Sequence, residues 1–211
     1  MRHHAVPPRV DTRLRRGEPL AVLFDANVLL DVFLQRPNAY PAARALTFAE
    51  ADVVDGYICA SAFGVICHHG AARGPGRHRH ERRLAEELMR FLGALPLTKE
   101  ILTAALRNEV LSYEDAQVAA SGYTKDIDAI LTSDRDFIRG DESACRPQDL
   151  VAVLEEHFGA HHTCRVVRVT ERKFRVEISD SAGVWRQTLP LAGFPTQEQA
   201  ERVAGLRQDA E

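Results

Sequence analysis

Cysteine and long apolar runs are both scarce in this chain, and each scarcity removes a class of protein. The four cysteines among 211 residues, Cys59, Cys67, Cys145 and Cys164, include no CxxC pair. They offer neither a disulfide framework nor a spaced zinc motif, and Cys59 and Cys67 read as small buried hydrophobes in apolar surroundings. No apolar stretch approaches the roughly 20 residues that cross a bilayer. The start, Met1 to Glu18, is basic and proline-containing and lacks the apolar core of a secretory signal. A soluble, cytoplasmic protein with no membrane partner is therefore expected. A dominant charge is missing too. The net charge is −3, so no global field announces a polyanionic partner, and any attraction for one must be local.

What is present is ordinary globular composition, 45% hydrophobic and 27% charged, in strands that alternate with helices. Leu20–Phe24 (LAVLF) is a short continuous apolar run, the pattern of a strand buried on both faces of a parallel sheet. An apolar helix follows it at VLLDVFL. Further strands are expected at Gly56–Ala60, Leu95–Leu97 and Ala129–Thr132. Helices are expected between them and over QDLVAVLEEHF, with Asn38, Ser61, Thr98 and Ser112 as caps. This grammar predicts an α/β unit over 18–159 with a central parallel sheet of about four to five strands, preceded by a flexible basic segment, 1–17. From 163 to 209 the pattern changes to three strand-like segments and one helix, a small βββα module.

The chemistry concentrates in acids at one edge of that sheet. Asp25 follows the first strand, Asp134 follows the fourth, and Asp115 lies near the start of the helix before it. Ligands of open α/β sheets bind outside the carboxyl ends of the strands. Three carboxylates delivered there repel one another unless a cation shares them, and hard oxygen donors suit Mg²⁺ or Mn²⁺. Such an ion activates water and neutralises a phosphoryl group, which is phosphodiester hydrolysis. On position alone, three unrelated helix caps remain an equal reading.

LFDANVLLDVFLQRP resembles the opening of PIN domains, where a strand-end Asp and an Asn two residues on precede an apolar helix. SYEDAQVAASGY followed by IDAILTSDRDF resembles the second half of that family, an acid on a helix and then a strand ending in Thr-x-Asp. The likeness runs from about Leu20 to Phe158. It implies a PIN-like three-layer fold and a metal-dependent ribonuclease, often the toxin of a toxin–antitoxin pair. Asp25, Asp115 and Asp134 match the catalytic, metal-binding acids, and Asn27 and Ser133 match supporting polar positions. Asp31 and Asp136 are further supporting candidates, and Glu114 and Asp128 are auxiliary acids at most. One position departs from the pattern. The family usually has another acid on the helix after the second strand, and Gly64–Val65 stand there, with His68 or His69 one turn along as a partial substitute. A PIN fold that binds or regulates without efficient cleavage is the competing expectation.

Two basic clusters point to partners. RGPGRHRHERR places Arg73, Arg77, Arg79, Arg82 and Arg83 together, a set that can hold RNA phosphates or simply be a solvated loop and helix start. The C-terminal module alternates Arg and Lys with Val and Phe, predicting one apolar and one basic face. Nucleic acid, an antitoxin or other protein, and a second copy of the chain forming a homodimer all fit these features.

Overall fold

A computed structural model describes residues 6–34, 36–70, 77–158, 164–170, 173–179 and 185–187. Its centre is β1 (Leu20–Phe24), whose LAVLF run is buried along both faces. β1 is flanked by β2 (Val54–Cys59) and β4 (Ala129–Leu131), with β3 (Leu92–Leu95) and the two-residue β5 (Ala144–Cys145) outside them. The order is β3-β2-β1-β4-β5 and every pairing is parallel. Leu23 aligns with Tyr57 on one side and Ile130 on the other. β5 carries no apolar run long enough to announce a strand, and the alignment of Leu131 with Cys145 supplies it.

Nine helices accompany the strands among the described residues: α1 (Pro8–Arg15), α2 (Ala26–Phe33), α3 (Ala39–Glu50), α4 (Ala60–Gly70), α5 (Arg77–Leu88), α6 (Lys99–Leu106), α7 (Tyr113–Lys125), α8 (Arg135–Gly140) and α9 (Pro147–Phe158). Their apolar stripes form one core with the strands, in which Phe24, Leu29, Leu46, Phe48, Ile66, Leu88, Ile130, Phe137 and Leu154 are fully buried. Each such side chain contributes roughly 1.5–3 kcal/mol by leaving water. Gly56 shows how closely the layers approach. A Cβ there would lie 2.6 Å from Leu92 Cδ2 and 2.9 Å from Ala49 Cβ, so only glycine lets α3 and β3 close on β2.

Thr98 and Ser112 cap α6 and α7 as expected, accepting from the Ile101 and Asp115 N–H groups. Asn38 occupies the cap position of α3 without a side-chain bond. Ser61 lies inside α4, one residue past its start, with its Oγ 3.1 Å from Cys59 Sγ.

The N-terminal segment is a correction. From Pro8 it is helix rather than a flexible lead-in, with proline in the first turn and Val10 and Leu14 buried one turn apart. Arg9 and Arg13 pair with Asp126 and Asp128. Asp128 is fully buried and also accepts the Ala21 N–H at 2.9 Å. Its charge needs these partners, and they dock α1 beside the start of β1.

In the C-terminal region β6 (Cys164–Thr170), β7 (Lys173–Ser179) and β8 (Trp185–Gln187) form a separate antiparallel sheet in the order β6-β7-β8. Arg165 aligns with Glu177. The helix expected after this sheet, and the orientation of the side chains on it, lie outside the described residues.

Candidate metal centre at the β1–β4 edge

The strand order reverses at β1. The chain steps outward one way through β2 and β3, then returns to β1's other side with β4 and β5. That switch point leaves a crevice at the carboxyl ends of β1 and β4, where α/β sheets place their ligands. Asp25 and Thr132 are the first residues past these two strands. The Asp25 N–H extends the ladder by donating to the Leu131 carbonyl at 2.9 Å.

Asp25 is only 5% exposed. Its Oδ2 accepts from Thr132 Oγ1 at 2.8 Å and from Asn27 Nδ2 at 3.3 Å. Burial pushes its carboxyl up to about 6, with the Asp115 charge adding to the rise and the Thr132 and Asn27 bonds opposing it. Thr132 is itself fully buried, and its Oγ1 also accepts the Asp134 N–H at 3.1 Å. One hydroxyl therefore fixes the Asp25 carboxylate and the backbone that presents Asp134. Sequence reasoning notes threonine within the Thr-x-Asp pattern and assigns it no role. Its signal was the spacing, two residues before the acid at a strand end.

Asp115 sits in the first turn of α7. Its N–H donates to Ser112 Oγ at 3.1 Å, and Ser112 Oγ donates to its Oδ2 at 2.6 Å, a reciprocal cap. Its carboxyl is raised by burial first, then by the charges of Asp134 and Glu114, against the Ser112 bond. Asp134 caps α8 through one oxygen, Oδ1, which accepts from the Asp136 and Phe137 N–H groups at 2.7 and 3.3 Å. Repulsion thus runs from Asp25 to Asp115 and from Asp115 to Asp134.

The supporting residues divide. Asn27 bonds Asp25 directly. Ser133 donates to Asp31 Oδ2 at 2.7 Å, and Asp31 is buried in α2 with Arg36 beside its other oxygen at 3.6 Å. Asp136 is exposed and paired with Arg139. Glu114 is exposed next to Asp115. Asp128 lies at the opposite, amino end of β4 and is no part of this edge. Gly64 and Val65 are exposed on α4 and supply no donor, and His68 is 4.0 Å from Glu81 of α5 with its ring edge on His69. Arg79, Arg82 and Arg83 are exposed on α5. Arg73 and the Arg77 side chain lie outside the described residues.

A family model described as PIN domain matches residues 21–136, more than half of the chain. The chain belongs to the PIN domain family. That family is generally one of nucleases, and the PIN match spans Asp25, Asp115 and Asp134 together. No curated protein sequence matches the chain. Among solved structures, a toxin–antitoxin complex from Klebsiella pneumoniae aligns with 18% identity and a TM-score of 0.46, over 60% of this chain and 98% of that one. A Pyrobaculum aerophilum protein aligns with 15% identity and a TM-score of 0.43, over 65% of this chain and 96% of that one. The family assignment stands on the matched residues.

The donor chemistry of this candidate site suits a hard divalent cation, with carboxylates that use one oxygen, in Asp115 and Asp134, for their own hydrogen bonds. Among the described residues, no three His, Cys, Asp or Glu side chains already stand in a metal-holding group. No helix among the described residues is long and apolar enough to cross a membrane.

Proposed function

We propose that this PIN domain is a metal-dependent endoribonuclease, in which Asp25, Asp115 and Asp134 hold Mg²⁺ or Mn²⁺ at the β1–β4 edge. The observation that carries the reading is the Thr132 hydroxyl, which joins Asp25 to the Asp134 backbone and so ties two acids 109 positions apart in the chain into one unit. Such a bound ion supplies charge neutralisation at a phosphodiester and lowers the pKa of water. The chain's own residues do the positioning. Thr132 and Asn27 fix Asp25 Oδ2, Ser112 fixes Asp115, and the first N–H groups of α8 fix Asp134. Arg79, Arg82 and Arg83, with Arg73 and Arg77 before them, are the proposed contacts to the RNA backbone.

Because PIN domains are often the nuclease half of a toxin–antitoxin pair, a toxin of the cytoplasm, restrained by an antitoxin protein, is the corresponding biological proposal. A second reading, a PIN fold that binds RNA but cuts it weakly, is favoured by one observation: α4 carries Gly64 and Val65 where the family usually carries an acid. Incubating a single-stranded RNA with Mn²⁺ and either the wild type or Asp25→Asn separates the two. Metal-dependent cuts lost in the variant support the nuclease. Absence of metal-dependent cutting, or equal cutting by both proteins, refutes it.

A further inference from the structure

An edge lined by Asp25, Asp115, Asp134 and Glu114 faces an electrostatic problem beyond its metal, because a polyanion must approach a cluster of like charge. One cation is built into the same structural unit. Arg36 lies in the turn between α2 and α3, and its backbone is held at both ends: its N–H donates to the Asp31 carbonyl at 2.9 Å, and its carbonyl accepts from Ala39 at 2.9 Å. Its guanidinium stands 3.6 Å from Asp31 Oδ1, an ion-pair distance longer than a hydrogen bond, and its side chain is 44% exposed. The other oxygen of Asp31 accepts from Ser133, the residue before Asp134. A single buried carboxylate therefore fixes both the turn that presents a site acid and an arginine whose fork still reaches solvent.

We propose that Arg36 is a contact for a phosphate of the bound RNA next to the acid cluster, and that Asp31 is the positioning residue that aims it. A guanidinium suits this task because its planar fork can keep one N–H toward the anchoring carboxylate while others bind phosphate oxygens. Arg36 thus serves the reacting end of the strand, whereas the α5 arginines serve a longer stretch. The competing account is that Arg36 only neutralises the buried Asp31 charge.

The proposal rests on RNA being the substrate, so its test reads binding separately from cutting. Affinity for a short fluorescent oligouridine is measured across a salt series in the full-length Asp25→Asn protein, with Arg36→Ala, Arg36→Lys, Asp31→Asn and the Asp31→Asn/Arg36→Ala double variant added in turn. Arg16→Ala, ahead of β1 at the sheet's other end, is the control for simple loss of charge. Arg36→Ala is expected to weaken binding several-fold and to reduce the slope of log K against log salt by about 0.7, the value of one single-strand phosphate contact. Arg36→Lys keeps most of the slope, and the double variant stays weak. Binding equal to that of Arg16→Ala, or binding restored in the double variant, overturns the proposal in favour of neutralisation. Loss of affinity at Arg36, together with a wild type that cuts no RNA in Mn²⁺, would instead retain this contact and remove the nuclease reading.

Discussion

Replacing Asp25 with asparagine measures the cost of keeping a buried carboxylate at this edge without a cation. The carboxyl is almost fully buried and is raised from 3.8 to about 6, first by that burial and then by the Asp115 charge. A rise of that size corresponds to about 3 kcal/mol. The sign follows from proton binding: between the unfolded and folded pKa values the native state holds the proton more tightly, so metal-free stability falls as pH rises. At acidic pH below the unfolded value, wild type and Asp25→Asn should be similarly stable. Above pH 6 the variant should be more stable in EDTA by up to about 3 kcal/mol, a rise in Tm of roughly 5–10 °C for a domain of this size. The gain is an upper value, because an amide offers one acceptor oxygen where the carboxylate offers two. Urea unfolding at several pH values, with EDTA and then with Mn²⁺, measures it. Mn²⁺ should reverse the ranking by stabilising the wild type alone. A variant no more stable than wild type at pH 7.5, or one whose advantage does not change with pH, would refute the account of Asp25 as a strained, cation-seeking acid.

Two further outcomes test particular contacts. Thr132→Val keeps the shape of a fully buried side chain but removes the bond to Asp25 and the acceptor for the Asp134 N–H; a loss of about 1.5–3 kcal/mol is expected, read as a lower kcat in the cleavage assay and weaker Mn²⁺ binding by calorimetry. Leu14→Ala removes a buried contact of α1 and should cost about 2 kcal/mol or more, with faster amide exchange over Pro8–Arg15; unchanged stability and exchange would show that α1 is not docked.

The centre of the sheet was legible because β1 and β4 are buried on both faces, whereas β3, partly exposed, lies at Leu92–Leu95 and not at the expected Leu95–Leu97. Continuous apolar runs such as LAVLF and AILT have no other economical place in a chain of this composition, and the acids that follow them mark their carboxyl ends. β5 escaped because two residues carry no period, and only pairing with β4 makes them a strand. The helix α1 escaped for a different reason. Its basic residues look solvated in sequence, but Arg9 and Arg13 answer a buried Asp128 more than a hundred residues away, and such pairings leave no local mark. The three acids could be nominated from position and family resemblance. Their coupling could not, since it depends on the distance between α7 and α8 rather than on either helix alone. Thr132 and Asp31 were visible as residues, yet a hydroxyl that serves two partners and a carboxylate that holds two elements are properties of the packed edge.

The parallel pairing of β1 with β4 has a kinetic meaning as well. Leu23 meets Ile130, and everything that joins Asp25 to Asp134 waits on that meeting. Contacts of such long sequence separation form late, after the loop entropy of the intervening chain has been overcome. A ribosome-bound chain that has not yet released β4 holds Asp25 but lacks two of its partners, whatever helices it has already formed. On the proposed site, metal affinity, unlike helix content, would report the joining of β4 to β1, and hydrolysis would wait until Asp134 has reached the sheet edge.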